Sequence, residues 1–189
     1  MKRPAVFLDR DGTLIEDAGN LRDIAQVDFY PQTFPALRLL GQFALFIVTN
    51  QSGIAQGHIR AEEARAVNDY VARRLGEEGA AIRAVYCCPH QRTDACECMK
   101  PKPYFLRVAE REHDIDLARS FVVGDHPSDM EFARSVGARG IYVLTGHGAK
   151  HRAELRTSGI VVADIAAATE RILEMHASEV PQPGSMCAY

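Results

Sequence analysis

The chain has 189 residues, 47% of them hydrophobic and 25% charged, with a formal net charge of -3. This size and composition are typical of one globular domain that buries its own core. The slight negative charge disfavours nucleic acid and anionic membrane surfaces as partners. No apolar stretch is long enough for a membrane span, and the first residues enter an apolar run without a signal peptide, so we expect a cytoplasmic monomer.

The first predicted strand is Ala5 to Leu8, four apolar residues that indicate burial on both faces of a sheet. Two carboxylates, Asp9 and Asp11, follow it directly and lie on either side of Arg10. Because ligands bind at the carboxyl ends of strands in an open parallel sheet, these two acids are candidate site residues.

A polar stretch from Glu16 to Phe29 comes next and predicts a loop or flap beside that site. A short helix is predicted from Pro31 to Leu40, and a second buried strand from Ala44 to Val48. Thr49 and the residues after it are small and polar, so their hydroxyl, amide and backbone N–H groups suit a phosphate oxygen.

The next predicted elements are a helix from Arg60 to Glu78 and a less apolar strand from Ile82 to Tyr86, placed nearer the sheet edge. A cysteine-rich loop follows, from Cys87 to Cys98. Its three sulfurs and one imidazole suit tetrahedral Zn2+ at a closed structural site, with Cys87 left out, and the alternative is a group of ordinary reduced thiols. The four predicted ligands are Cys88, His90, Cys96 and Cys98.

Lys100 opens a proline-containing segment before a helix that is predicted to run to about Glu112. The fourth strand, Phe121 to Val123, ends in a polar stretch that contains Asp125 and Asp129, and a helix is predicted to begin near Ser128. The remaining predicted elements are strands from Gly140 to Leu144 and from Ile160 to Val162, and a closing helix from Ile165 to His176.

Alternating strands and helices predict an α/β fold with a mostly parallel sheet covered on both faces. We expect one domain over residues 1–176, with the zinc loop at 88–98, and a flexible tail over 177–189. Acids and a lysine gathered at the strand ends suit Mg2+, which prefers oxygen ligands, and a phosphate group. A carboxylate nucleophile beside a metal and a cation is a phosphoryl-transfer site.

The polar segments together resemble the haloacid dehalogenase (HAD) superfamily of phosphatases, whose four motifs occur here in order. They are Asp9-Arg10-Asp11-Gly12-Thr13, Thr49-Asn50, Lys100, and Gly124-Asp125 with Asp129. The resemblance covers about Val6 to Gly146 and implies a Rossmann-like three-layer fold. No insertion between the motifs is long enough for a large cap domain.

The resemblance also implies a role for each residue. Asp9 would attack phosphorus and Asp11 would act as acid and base. Asp9, Asp125 and the backbone carbonyl of Asp11 would bind Mg2+. Thr49, Asn50 and Lys100 would bind phosphate, and Asp129 would support the metal site or orient Lys100.

A zinc loop directly before Lys100 resembles the branch that contains heptose bisphosphate phosphatases and histidinol-phosphate phosphatases. The stretch from Thr49 to Gly57 is similar to the heptose enzymes, whereas the six-residue step from His90 to Cys96 is more similar to the histidinol enzymes. Where the heptose enzymes usually carry cations, this chain has Gln56, Met99 and His126.

We therefore expect a Mg2+-dependent phosphatase of a small phosphorylated metabolite, best matched by a heptose bisphosphate or a related sugar phosphate. The alternative within the superfamily is a histidinol-phosphate phosphatase. Outside it, the alternatives are a phosphate-accepting signalling domain and an inactive binding domain. A receiver-type signalling domain has its acceptor Asp on a later, central strand, whereas Asp9 and Asp11 both follow the first strand.

Overall fold

The computed structural model describes residues 2–156 and 159–179. Within them the strands are β1 (Ala5–Leu8), β2 (Ala44–Asn50), β3 (Ile82–Cys88), β4 (Phe121–Gly124), β5 (Arg139–Val143) and β6 (Ile160–Val162). The α-helices are α1 (Thr33–Leu39), α2 (Ala61–Glu77), α3 (Tyr104–His113), α4 (Pro127–Arg134), α5 (Gly148–His151) and α6 (Ile165–Glu179). Short 3-10 turns lie at Ile24–Gln26, Arg92–Asp94, Leu117–Arg119 and Arg152–Glu154.

In the described part of the chain, six strands form one sheet in the order β3-β2-β1-β4-β5-β6, and every neighbouring pair is parallel. The chain winds outward from β1 to β3, then returns to β4 beside β1 and winds outward to β6. The loops after β1 and β4 therefore diverge, and a crevice opens between them at the carboxyl edge. The predicted parallel α/β fold is confirmed.

Helices cover both faces of the sheet because each face of the central strand is apolar. On one face Leu8 packs in a cluster with Val71 of α2 and Ile172 of α6. On the other face Phe7 packs with Leu106 of α3 and Phe132 of α4. The result is the predicted three-layer α/β/α arrangement with β1 buried at its centre.

Several boundaries differ from the predicted ones. β2 and β3 are longer than expected because Thr49 and Asn50 continue the ladder opposite Cys87 and Cys88. The prediction that the cysteine loop begins at Cys87 is wrong, since both of these cysteines belong to β3. The predicted strands ended at their last apolar residues, whereas the backbone hydrogen bonds between β2 and β3 continue past those residues.

Other differences are smaller. The first helix begins at Thr33 rather than at Pro31, and α5 was not predicted from the sequence. The closing helix continues to Glu179, past the expected end at His176. Residues 180–189 of the expected tail lie outside the described residues. Among the described residues, no helix has the length and apolar character needed to cross a membrane.

Candidate active site

The predicted site residues meet in one cleft at the carboxyl edge of the sheet, with a volume of about 1170 Å³. Asp9 follows β1, Thr49 and Asn50 end β2, and Asp125 follows β4. Lys100 reaches the same cleft from the segment before α3. The sheet order produces this convergence, because β1 lies between β2 and β4.

Lys100 and Asp9 form the closest charged contact of the cleft. Lys100 Nζ donates to Asp9 Oδ1 at 2.6 Å and to Asp129 Oδ1 at 2.7 Å, and its side chain is 5% exposed. The backbone N–H of Lys100 donates to Asn50 Oδ1 at 3.1 Å, and Asn50 Nδ2 donates to the Lys100 carbonyl at 3.4 Å. The amide of Asn50 thus fixes the backbone of Lys100.

The start of α4 places two further carboxylates. Asp129 Oδ2 accepts the backbone N–H of His126 at 3.1 Å, and His126 Nδ1 accepts the N–H of Ser128, so His126 caps the helix. Asp125 Oδ2 accepts the backbone N–H of His147 at 2.7 Å. Backbone N–H donors therefore hold both carboxylates in position. The structural role of His126 is that of the N-cap of α4.

Three carboxylates crowd around a single lysine. Oxygens of Asp9, Asp125 and Asp129 all lie within 4.8 Å of one another. Burial raises the pKa of Asp9 well above its usual range, Lys100 opposes this, and the neighbouring carboxylates raise it further. Burial, with Asp129 beside it, raises the pKa of Asp125 to about 6. Such a surplus of buried oxygen donors and negative charge fits a hard divalent cation such as Mg2+.

Lys100 stays protonated in this environment. Burial acts to lower its pKa, but the carboxylates of Asp129 and Asp9 outweigh burial, so its pKa lies above the usual range. A permanent positive charge beside Asp9 suits the oxygens of a phosphate group.

The carboxylate of Asp11 faces a different set of partners. It accepts from Gln51 Nε2 at 2.7 Å, from Thr49 Oγ1 at 3.4 Å and from the guanidinium of Arg10. Sequence reasoning missed Arg10 and Gln51 as parts of the site. The available signal was their position in the sequence, since Arg10 and Gln51 each directly adjoin a predicted site residue.

Gly12 allows the loop after β1 to turn close to Asp125. Its φ of +77° lies in the left-handed region that favours glycine, and an added Cβ would collide with Asp125 Oδ2. Thr145 Oγ1 donates to the Gly12 carbonyl at 2.7 Å and ties the loop after β5 to this turn. The glycine therefore permits the loop after β1 to approach the Asp125 carboxylate closely.

The flap from Glu16 to Phe29 lies at the mouth of the cleft. It is closed at its base by the hydrogen bond from the Glu16 N–H to the Asp28 carbonyl at 2.8 Å. Asp17 and Asn20 line the cleft, and Asp17 contacts His147 Nε2 at 3.0 Å. The stretch predicted as a flap beside the site therefore borders the cleft.

The four predicted zinc ligands also converge, at the end of β3 and in the loop after it. Their ligand atoms lie within 4.8 Å of one another. The Sγ atoms of Cys88, Cys96 and Cys98 are 3.3 to 3.8 Å apart, and Nδ1 of His90 lies 3.7 Å from Cys88 Sγ and 3.3 Å from Cys98 Sγ. Zn–S bonds of about 2.3 Å in a tetrahedron give ligand separations of about 3.8 Å, so the cluster fits zinc.

The fold and the site together define a class of enzyme. An aspartate beside a buried lysine and further acids, in the crevice of a parallel sheet, is suited to phosphoryl transfer through a covalent aspartyl phosphate. The fold and the site thus fit a phosphoryl-transfer enzyme of the Rossmann-like α/β type.

Comparison with known proteins narrows this class. A family model described as HAD-hydrolase-like matches residues 97–168. A D-glycero-beta-D-manno-heptose-1,7-bisphosphate 7-phosphatase from Yersinia pestis is 38% identical over 154 residues, covering 76% of this chain and 81% of that protein. The protein of the same name from Escherichia coli K12 is 36% identical, covering 76% of this chain and 80% of its own length.

A solved structure shows the same likeness in three dimensions. The D,D-heptose 1,7-bisphosphate phosphatase from B. bronchiseptica, crystallised with magnesium and phosphate, superposes with a TM-score of 0.83 at 32% identity. The match covers 91% of this chain and 99% of that one. The chain therefore belongs to the HAD superfamily, in the family that includes these heptose bisphosphate phosphatases.

Proposed function

We propose that the protein hydrolyses one phosphate ester of a D-glycero-D-manno-heptose 1,7-bisphosphate, or of a closely related sugar phosphate, with Mg2+ as cofactor. The main support is the contact between Lys100 and Asp9 within a cluster of acids. The heptose substrate follows from the relatives, which are named for it. The phosphate at the 7 position is the expected one, because their names specify it.

The first step forms a bond between Asp9 and phosphorus. An oxygen of Asp9 attacks the phosphorus atom, the ester P–O bond breaks, and its electron pair stays on the sugar oxygen. Asp11 gives that oxygen a proton, so the sugar leaves as an alcohol. Lys100 and Thr49 bind the phosphate oxygens, and Asn50 holds Lys100 in place through its backbone.

The second step restores the enzyme. Asp11 takes a proton from water, the water oxygen attacks phosphorus, and the bond between phosphorus and Asp9 breaks. Inorganic phosphate leaves and Asp9 is again a carboxylate. The proton that Asp11 loses in the first step is thereby replaced in the second.

Mg2+ would be held by the carboxylates of Asp9 and Asp125 and, as the family resemblance implies, by the backbone carbonyl of Asp11. When bound, it supplies positive charge that offsets the charge of the phosphate group. Asp129 supports the site because it accepts hydrogen bonds from Lys100 Nζ and from the backbone N–H of His126, the N-cap of α4. The neighbouring solved structure was obtained with magnesium and phosphate, which supports this choice of metal.

Zn2+ is proposed as a structural ion at Cys88, His90, Cys96 and Cys98. Four protein ligands leave no open position for a reacting water, so the ion stabilises the loop rather than the reaction. Burial raises the pKa of the Cys88 thiol, and a bound Zn2+ would favour its thiolate.

The relatives favour this assignment over the alternatives. Their names identify phosphatases, which argues against a signalling domain or an inactive binding domain. They also name a heptose bisphosphate rather than histidinol phosphate. The similarity of the stretch from Thr49 to Gly57 therefore outweighs the short step from His90 to Cys96.

A panel of phosphate esters with Mg2+ tests the proposal. It includes both anomers of the heptose 1,7-bisphosphate, matching monophosphates, histidinol phosphate and p-nitrophenyl phosphate. We expect the highest kcat/KM for a heptose phosphate and a covalent phosphate adduct in quenched protein by intact-mass measurement. Asp9→Asn abolishes both turnover and adduct, whereas Asp69→Asn, on the exposed side of α2, changes neither.

The gain from the second phosphate is expected to be modest. Met99 and His126 line the cleft at positions where the family usually has cations. Arg92 and Arg156 also line it, but both are exposed, and exposed ion pairs contribute little. An advantage of about a thousandfold for the bisphosphate, equal to about 4 kcal/mol, would contradict this expectation. An adduct that persists in Asp9→Asn would contradict the nucleophile.

A further inference from the structure

Arg10 is a buried cation between the two aspartates of the first motif. Its side chain is 1% exposed, although arginine is almost always at the surface unless paired. Nε donates to Asp11 Oδ1 at 3.0 Å, and Nη2 donates to both oxygens at 2.8 and 2.7 Å. The planar guanidinium therefore contacts both oxygens of one carboxylate.

The other end of this guanidinium is fixed by a helix that is distant in the sequence. Nη1 donates to Oδ1 of Asn68, which lies on α2 and is 5% exposed. Asn68 follows Val67 and precedes Val71, two residues of the core. A polar side chain held in that position by core packing gives Arg10 a rigid point of attachment.

We propose that Arg10 is a positioning residue that sets the orientation of the Asp11 carboxylate, and that Asn68 of α2 holds Arg10 for this purpose. The inference rests on the proposed function, in which Asp11 exchanges a proton with the leaving oxygen. A free carboxylate rotates about two bonds. Contacts to both of its oxygens remove that freedom, and Gln51 adds a further contact to Oδ2.

The consequence for the reaction depends on the leaving group. An aliphatic sugar oxygen leaves slowly unless it receives a proton, whereas p-nitrophenolate is stable without one. A misplaced Asp11 therefore slows the cleavage of an alkyl phosphate more than that of p-nitrophenyl phosphate. General destabilisation of the protein slows both reactions by the same factor.

The test measures first-turnover release of the alcohol, which reports the step that forms the phosphoenzyme. The two esters are p-nitrophenyl phosphate and an alkyl sugar phosphate that the wild-type enzyme cleaves. Asn68→Ala should lower the ratio of alkyl to aryl rate constants about tenfold or more, since small misplacements of catalytic groups cost up to about a hundredfold. Arg10→Lys should recover only part of the ratio lost in Arg10→Gln, because one ammonium replaces a planar fork.

The control is Ser120→Ala. Ser120 lies just before β4, at the opposite end of the sheet from the cleft. The substitution removes its hydrogen bonds with the Ala5 N–H and the Asp116 carbonyl and should leave the ratio unchanged. If wild-type protein forms no phosphoenzyme, the proposed function fails. If wild-type protein is active and Asn68→Ala has the wild-type ratio, the role given to Arg10 is overturned. Because Arg10→Gln leaves Asp11 without its cation and can prevent folding, Asn68→Ala decides the outcome.

Discussion

Asp125 combines a buried carboxyl group with a fixed orientation. It is 3% exposed, its Oδ2 accepts the N–H of His147, and Asp129 lies in the same cluster of acids. Burial and Asp129 outweigh that hydrogen bond and Lys100, and they raise the pKa of Asp125 to about 6. Without a metal ion, the ionised form of this residue is therefore less stable in the folded protein than in the unfolded chain.

This shift gives a predicted pH dependence for protein dialysed free of Mg2+. The folded pKa lies above the unfolded value of about 3.9, so folded protein binds the proton more tightly. The contribution of Asp125 to stability is present below about pH 4 and is lost as pH rises through about 6. The loss amounts to about 3 kcal/mol. About 2 kcal/mol of this loss falls between about pH 4.5 and about pH 7. Urea unfolding at these two pH values, compared between wild type and Asp125→Asn, measures it.

Adding Mg2+ provides the matching control, because the metal requires the ionised carboxylate. The stabilisation that Mg2+ gives should increase as pH rises through about 6 in the wild type and be reduced throughout in Asp125→Asn. Dialysis is preferred to a chelator, which would also remove the proposed zinc ion. Identical pH dependence in the wild type and the variant would contradict the shift.

The sequence allows the location of a site residue to be inferred where a reactive group directly follows a strand. Asp9, Thr49 and Asp125 directly follow apolar runs, so their meeting at one edge of a parallel sheet could be inferred. The role of Asn68 could not be predicted in this way. Helical periodicity places Asn68 beside core residues, but it does not predict which buried side chain Asn68 contacts. Its contact with Arg10 joins residues 58 positions apart and depends on how α2 packs on the sheet.

At the scale of elements, the zinc loop is connected to the active site through the chain and through Lys102. β3 places Cys88, and Cys98 lies two residues before Lys100. Lys102 Nζ donates to the carbonyl of Cys96 at 2.7 Å and ties the loop to the segment before α3. Order in the loop therefore supports the segment that carries Lys100, together with the hydrogen bonds between Asn50 and the Lys100 backbone.

Replacing one ligand should show this dependence. Cys98→Ser should lose the zinc, of which elemental analysis should find about one per chain in wild type, given four ligands. We expect a lower Tm and a lower kcat/KM, because the segment that holds Lys100 loses its support. Cys87→Ser is the matched control for metal content, since Cys87 lies outside the four-ligand cluster. Unchanged zinc in Cys98→Ser would contradict the ligand set.

Prediction of elements was limited by the apolar pattern. β2 and β3 continue to Asn50 and Cys88, because backbone pairing does not depend on apolar side chains. The short helix α5 was not predicted because the prediction of helices also relied on the apolar pattern. Its residues, Gly148 to His151, show no periodic apolar face.

At the scale of the whole molecule, four apolar residues in β1 indicated burial on both faces of a sheet, and the structure places this strand between β2 and β4. The order of all six described strands did not follow from the sequence, because it depends on which face each helix covers. α6 illustrates the point. It packs on the same face as α1 and α2, and its His176 ring lies 4.8 Å from that of Phe43, just before β2.

This placement of α6 predicts a loss of stability without a loss of chemistry. Ile172 of α6 is fully buried in the core. The contact of His176 with Phe43 places the carboxyl-terminal part of α6 near the amino ends of the strands, opposite the cleft. Ile172→Ala should reduce the free energy of unfolding by about 2–5 kcal/mol, through lost burial and a residual cavity. Urea unfolding followed by circular dichroism measures this loss, while kcat/KM of the folded enzyme stays at the wild-type value.

Arg171→Ala is the matched control, one residue earlier on the same helix. Its side chain is 49% exposed and pairs with Glu174, an exposed contact that contributes little to stability. The control should change the free energy of unfolding by no more than about 0.5 kcal/mol. A loss below about 1 kcal/mol in Ile172→Ala would show that α6 does not pack on the core in solution. A large fall in kcat/KM would show instead that the packing of Ile172 influences the cleft.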